Sequence, residues 1–208
     1  ALLTPQGKYL ADFILAQRGD DILLDVAEPL ADDLMRRLTM YKLRADVTIT
    51  ESDLNLQRGT GTPPADAASD PRHPTLGWRR YSSDQTSDDG SDWDAIRVAH
   101  CIPATGIELT PDSFILEMGF DVLNGVDFRK GCYVGQEVTA RMRHKTELRK
   151  GLRRVRIDGH APPGTPILID DKPVGTLHTQ SGDRALAYLR FERAKDGMRA
   201  ADATLYLD

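Results

Sequence analysis

The chain is 208 residues long, with 40% hydrophobic and 28% charged residues and a formal charge of −5. That is enough for one large domain or two small ones with a real core, and the acidic balance excludes nucleic acid as the default partner of the whole surface, because phosphate binding wants a basic footprint. Two cysteines are too few for a disulfide framework or for the four thiolates of a usual iron–sulfur cluster, no apolar run approaches a membrane span, and a reducing compartment is expected, cytoplasmic with the mitochondrial matrix as the alternative.

In chain order, residues 1–8 lack the basic stretch of a signal peptide. They open so near a strand that residues before Ala1 are expected. Residues 8–16 and 21–26 are runs rich in Leu and Ile around the turn composition Gln17-Arg18-Gly19-Asp20, which predicts a β-hairpin. Pro29 opens a helix in which Leu30, Leu34 and Leu38 form one stripe. Asp32 and Asp33 early, and Arg36 and Arg37 later, suit its dipole. Val47 and Ile49 alternate with Thr48 and Thr50, which predicts a strand. Residues 53–93 carry Pro63-Pro64, Pro71, Pro74 and many Asp, Ser and Thr, and read as a flexible connection, most so at 82–92. Order returns at Ala95, with residues 96–102 read as a strand and 114–122 as a further apolar run. Beyond Lys150 the pattern is all-β: strands at 152–157, 167–169, 185–189 and 205–207, with Asp170-Asp171-Lys172-Pro173 as a turn, suggest a small barrel. The expected fold class is α+β, with residues 1–149 as an α+β domain and 150–208 as a C-terminal β-barrel.

The most informative stretch is Lys130-Gly131-Cys132-Tyr133-Val134-Gly135-Gln136-Glu137. Two glycines bracket the cysteine, so the backbone is able to turn tightly or approach a ligand closely. Residues 136–142 read as a helix. A cysteine just before a helix, with Arg129 and Lys130 beside it, is in a setting that favours thiolate. Cys132 is therefore a candidate reactive or metal-contacting thiol, with a small buried residue as the competing reading. Cys101 reads as core. Residues 129–154 hold nine Lys or Arg and two Glu, a local charge of +7, which leaves −12 for the rest. An anionic ligand, an acidic protein, RNA or a plain solvated face all fit that asymmetry. His144, inside this run, reads as a surface residue. Trp93, at the edge of the connection, either stacks on a planar ring or anchors the linker. No phosphate loop, dinucleotide fingerprint, HExxH, CxxC or GxSxG appears, and no resident metal site is expected.

The stretch 130–137 resembles the signature K-G-C-[FY]-x-G-Q-E of the YgfZ family, which is related to the aminomethyltransferases of glycine cleavage. Leu3-Thr4-Pro5-Gln6-Gly7-Lys8 is similar to that family's segment before its first hairpin. Asp70-Pro71-Arg72 with Leu76-Gly77-Trp78-Arg79 resembles its D-P-R…L-G-[WYF]-R element, and Asn124-Gly125-Val126-Asp127-Phe128 its lead-in to the signature. The resemblance covers most of the chain except 53–69 and 82–92. It implies an aminomethyltransferase-like ring of three subdomains that binds tetrahydrofolate as cofactor, and a role in assembling or repairing 4Fe–4S proteins, tRNA-modifying radical enzymes among them. It implies Cys132 as the functional thiol, Trp93 and Glu117 against the folate ring and Arg141 near its anionic tail. Implied partners are folate and iron–sulfur proteins or cluster carriers, with neither membrane nor direct nucleic-acid contact. The alternatives are a one-carbon (aminomethyl) transferase and a nucleic-acid-binding module. Where aminomethyltransferases carry a glutamate in R-x-E-A-G, this chain has Ala99, which lowers the transferase reading.

Overall fold

The computed structural model describes residues 1–85, 89–144 and 147–208. Residues 86–88 of the expected connection, and Lys145 and Thr146 of the basic run, lie outside them. Leu2–Leu3 (β1) and Tyr9–Ala11 (β2) pair as a small sheet. Phe13–Arg18 (β3) and Asp21–Val26 (β4) form the predicted hairpin, in register from Phe13↔Val26 to Arg18↔Asp21, with Gly19-Asp20 as its loop. Glu28–Tyr41 (α1) follows, with Pro29 in its first turn and Leu34 buried. On its solvent side Asp33 pairs with Arg36 and Arg37.

Two expectations for the next stretch do not hold. Val47, Ile49 and their neighbours form no strand: Val47 is exposed, and the segment has no pairing partner. Alternation is necessary for a half-buried strand, but a ladder also needs a neighbour. Conversely, the supposed connection contains Asn55–Gly59 (β5), Ala68–Ser69 (β6) and Trp78–Ser82 (β7), a three-stranded antiparallel sheet in the order β5-β7-β6.

Ions rather than an apolar face hold this sheet. The Asp70 side chain is 2% exposed and takes Arg72 at 2.7 Å and Arg79 at 2.9 Å. Arg79 also donates to Asp25 on β4, as does the Tyr81 hydroxyl at 2.8 Å. The D-P-R…L-G-W-R element is thus a structural clasp. Gly77 within it has φ 65°, and a Cβ there would lie 2.0 Å from the Gly59 carbonyl oxygen, so only glycine fits. Burial, with the charge of Asp25, pushes the Tyr81 hydroxyl up to about 12 and keeps it a donor. Burial alone would raise the Asp70 carboxyl. The hydrogen bonds and charge of Arg72, with Arg79, outweigh burial and hold it below its ordinary value of 3.8. A carboxyl depressed on folding contributes stability above its unfolded pKa and loses it as pH falls through the folded one. Hydrogen exchange at β5–β7 is therefore expected to accelerate as pH falls below about 4, once the intrinsic exchange rate is divided out. In Asp70→Asn that acid-dependent step should flatten; an unchanged step would refute the assignment to Asp70.

Ala1 with Ala11–Ser91 forms one unit, and Leu2–Leu10 with Asp92–Asp208 the other. In the second, residues 93–100 form a helix (α2, Trp93–His100), correcting the expected strand. Asp92 caps it by accepting from the Ala95 N–H at 2.9 Å, and Cys101 ends it in the left-handed region at φ 57°. Residues 114–122 make buried turns rather than a regular element, with Ile115, Leu116, Met118 and Phe120 in the core. Gln136–His144 (α3) matches the predicted helix.

Lys150–Asp158 (β8), Pro166–Ile169 (β9), Lys172–Ser181 (β10), Arg184–Arg190 (β11), Met198–Ala200 (β12) and Ala203–Leu207 (β13) close into a six-stranded barrel in the order β10-β11-β8-β13-β12-β9. Closure removes every strand edge. Its interior is filled by Val155, Ile157, Leu177, Leu189, Met198 and Leu205, with alanines where the wall is tight. The α+β class with a C-terminal barrel is as expected. Helix α2 packs on β8, β10 and β11. A buried network fixes it there: Arg97 donates to Glu108 and to Thr179 on β10, each at 3.0 Å. Among the described residues no helix is long and apolar enough to cross a membrane.

Candidate functional site

The signature lies in the second unit, in the loop that enters α3. Gly135 adopts φ 85°, and a Cβ there would sit 2.6 Å from the Thr4 carbonyl oxygen and 3.1 Å from the Gly7 Cα. The glycine lets the loop cross closely over residues 3–7, so the L-T-P-Q-G-K segment and the signature pack directly against each other. Gln136 reaches back to accept from the Tyr133 N–H at 3.0 Å. Thr139, buried in α3, donates its hydroxyl to the Gly135 carbonyl at 3.3 Å. Lys130 lies 5.3 Å from the Tyr133 ring centroid. Gly135→Ala is expected to cost about 1–3 kcal/mol, the usual range for a strained backbone position. Denaturant unfolding measures the cost, and faster exchange confined to residues 2–10 and 133–139 locates it.

These locks leave Cys132 exposed at the outer part of the loop, with no disulfide partner. A Cβ added to Gly131 beside it would meet nothing within 4 Å among the described residues, so none of them demands glycine there. Its missing side chain keeps the sulfur approachable. Glu137 is exposed in the first turn of α3. Cys101 is half-buried behind α2, and burial pushes its thiol up. Cys132 is thus not the small buried residue of the competing reading, and Cys101, read as core, is only partly buried.

The other expected residues are placed separately. Trp93 is the half-buried first residue of α2. Glu117 is 8% exposed and accepts from the Tyr188 hydroxyl at 2.5 Å, with Lys150 at 3.9 Å. Burial, then the Glu117 hydrogen bond, raises the Tyr188 pKa. Glu117 thus braces the barrel strands β8 and β11. Arg141 is exposed on α3, and His144 is exposed as expected.

Beside the loop lies a cleft of about 410 Å³, lined by Leu116, Phe128, Met142 and Arg143 and by the carboxylates Asp121 and Glu147 among others. The Arg143 guanidinium stacks 3.6 Å from the Phe128 ring centroid. An adjoining hollow of about 690 Å³ adds Arg129 and Asn124. None of Trp93, Glu117, Cys132 and Arg141 lines either space. The basic run divides. Arg153 stacks on Phe191 at 4.2 Å, and Arg154 binds Asp208 and the Ala99 carbonyl, so these serve the barrel. Arg129, Lys130, Arg141 and Arg143 are exposed around the signature loop. Among the described residues no group of three or more His, Cys, Asp or Glu side chains is placed to hold a metal ion.

Residues 149–208 match the family model of the CAF17 C-terminal beta-barrel domain. The mouse protein named iron-sulfur cluster assembly factor IBA57, mitochondrial, is 30% identical over 235 residues, covering 93% of this chain and 64% of that protein. Its human counterpart is 29% identical over 230 residues with the same coverage. The homologue from Mycosarcoma maydis is 32% identical over 173 residues, covering 71% of this chain and 43% of that protein. The chain thus spans less than two thirds of these relatives. The likeness is thus to proteins named iron–sulfur cluster assembly factors, and residues 149–208 match a barrel of the CAF17 C-terminal type.

Proposed function

Taking the likeness to iron–sulfur cluster assembly factors as the starting point, we propose that this chain is an accessory protein for assembling or repairing 4Fe–4S proteins, of the YgfZ type. The observation that carries the reading is Cys132, exposed on a loop whose conformation Gly135 and Gln136 fix from behind. A cluster takes four thiolates, and among the described residues this chain offers one exposed thiol. The cluster, its cargo, is therefore held between Cys132 and the cysteines of a carrier or client protein. Exchange of one thiolate for another then moves it without a change of oxidation state.

Tetrahydrofolate as cofactor rests on the sequence resemblance. Trp93 supplies a half-buried indole for the pterin ring and Arg141 an exposed cation for the glutamate tail. Glu117 supports this least, because its carboxylate is already engaged by Tyr188. The relatives' names favour the mitochondrial matrix over the cytoplasm as the compartment. The aminomethyl-transfer alternative gains nothing from α2, where Ala99 offers only a carbonyl, bound by Arg154 at 2.6 Å.

Anaerobic reconstitution with iron and sulfide tests the reading. The chain alone is expected to hold no stable cluster chromophore, and the chain mixed with a cluster carrier protein to form a complex that retains one. If the Cys132→Ser complex retains the cluster equally well, the sharing role is refuted.

A further inference from the structure

We propose that Lys130 and Tyr133 close over Gly131 and Cys132 as a bracket, and that both are positioning residues, holding the thiol in one geometry for the incoming cluster. This rests on the cluster-sharing reading and says how its site is ordered. Gly131 and Cys132 are exposed, and among the described residues neither makes a hydrogen bond. Order at the thiol must therefore come from the residues on either side of it.

On one side stands Tyr133, half-buried between exposed neighbours. It is pinned twice to the first residue of α3. Its N–H donates to the Gln136 side chain at 3.0 Å, and its carbonyl accepts from the Gln136 N–H at 3.2 Å. The turn so closed takes a positive φ at its third position, and Gly135 supplies 85° there. On the other side, the Arg129 N–H donates to Asp127 at 2.8 Å. Lys130 then reaches across to the Tyr133 ring, its Nζ 5.3 Å from the centroid and within range of a cation–π attraction. The contact spans Gly131 and Cys132, so it ties the open limb of the loop to the pinned one. A loop ordered beforehand loses less entropy when its thiolate enters a cluster. Charge alone does not explain Lys130: Asp127 and Glu137 balance Arg129 and Lys130 over residues 127–137.

The affinity of the full chain for a carrier protein loaded with a 4Fe–4S cluster, measured beside that for the cluster-free carrier, tests this. Lys130→Met and Tyr133→Leu are each expected to weaken binding of the loaded carrier about two- to fivefold, the worth of one exposed cation–π contact. The double variant should lose no more than either single one, because both remove the same contact. Binding of the cluster-free carrier and the thermal midpoint should not move. Lys130→Arg and Tyr133→Phe keep the cation and the ring, and should restore the affinity. Without any carrier, amide exchange at Tyr133, followed by NMR, should quicken in Lys130→Met. Unchanged exchange, a parallel fall in thermal midpoint, no rescue by the conservative variants, or a loss in Lys130→Met that Tyr133→Leu does not share would overturn the bracket. Cys132→Ser separates the two claims. If it weakens binding of the loaded carrier while Tyr133→Leu and Lys130→Met do not, the bracket alone falls; if it binds the loaded carrier as wild type does, the cluster-sharing reading falls.

Discussion

Replacing Glu108 by alanine is expected to lower folding stability by about 3–5 kcal/mol, the usual cost of leaving a buried ion without its partner. The Glu108 side chain is 0% exposed and sits between α2 and the barrel. Its oxygens accept from Arg97 at 3.0 Å, the Ala104 N–H at 2.9 Å, the Thr179 N–H at 3.2 Å and the Thr179 hydroxyl at 2.6 Å. Truncation removes the acceptor of four hydrogen bonds. Arg97, itself buried, keeps only the mostly exposed Asp94, the Ile102 carbonyl and Thr179. Glu108→Gln keeps the shape and one acceptor, and should cost less, about 1–3 kcal/mol. Arg97→Met with Glu108→Leu removes both charges together, so its loss should be well below the sum of the single losses. Urea unfolding of the wild type, Arg97→Met, Glu108→Leu and the double variant measures this. Strict additivity would contradict the coupling drawn here.

Cys132→Ala is expected to do the reverse: leave stability within about 0.5 kcal/mol, as for other exposed substitutions, and abolish function. The side chain is exposed, and the loop is held by Gly135, Gln136 and Thr139 rather than by the sulfur. In cells whose copy carries the change, the activity of a 4Fe–4S dehydratase should fall to that of cells lacking the protein, while a cluster-free enzyme is unaffected. An unchanged dehydratase would remove Cys132 from the role. A parallel drop in thermal midpoint would reassign it to folding.

The barrel was legible because β8, β9, β11 and β13 are short runs rich in apolar residues, separated by turn compositions at regular spacing. β10 was missed because Lys172-Pro173 and Gly175 break its apolar pattern, and β12 because it is three residues long. Helix α2 was mistaken for a strand on Val98, Cys101 and Ile102; the decisive signal was Asp92, a cap three residues before Ala95. The β5–β7 sheet left no periodic trace, because Asp70, Arg79 and Asp25 hold it through charges brought together from distant parts of the sequence. At the site, the signature identified Cys132, but its exposure depended on the crossing of Gly135 over residues 3–7. The Phe128–Arg143 stack was not anticipated. Both residues were in view, yet only the fold of the intervening loop and α3 brings them to 3.6 Å.

Differential alkylation reaches the sulfur itself. Under native anaerobic conditions, iodoacetamide should label Cys132 well ahead of the half-buried Cys101, and adding a cluster-loaded carrier protein should protect Cys132, while the cluster-free carrier should not. Equal labelling of Cys132 with loaded and cluster-free carrier would mean that no cluster is held there.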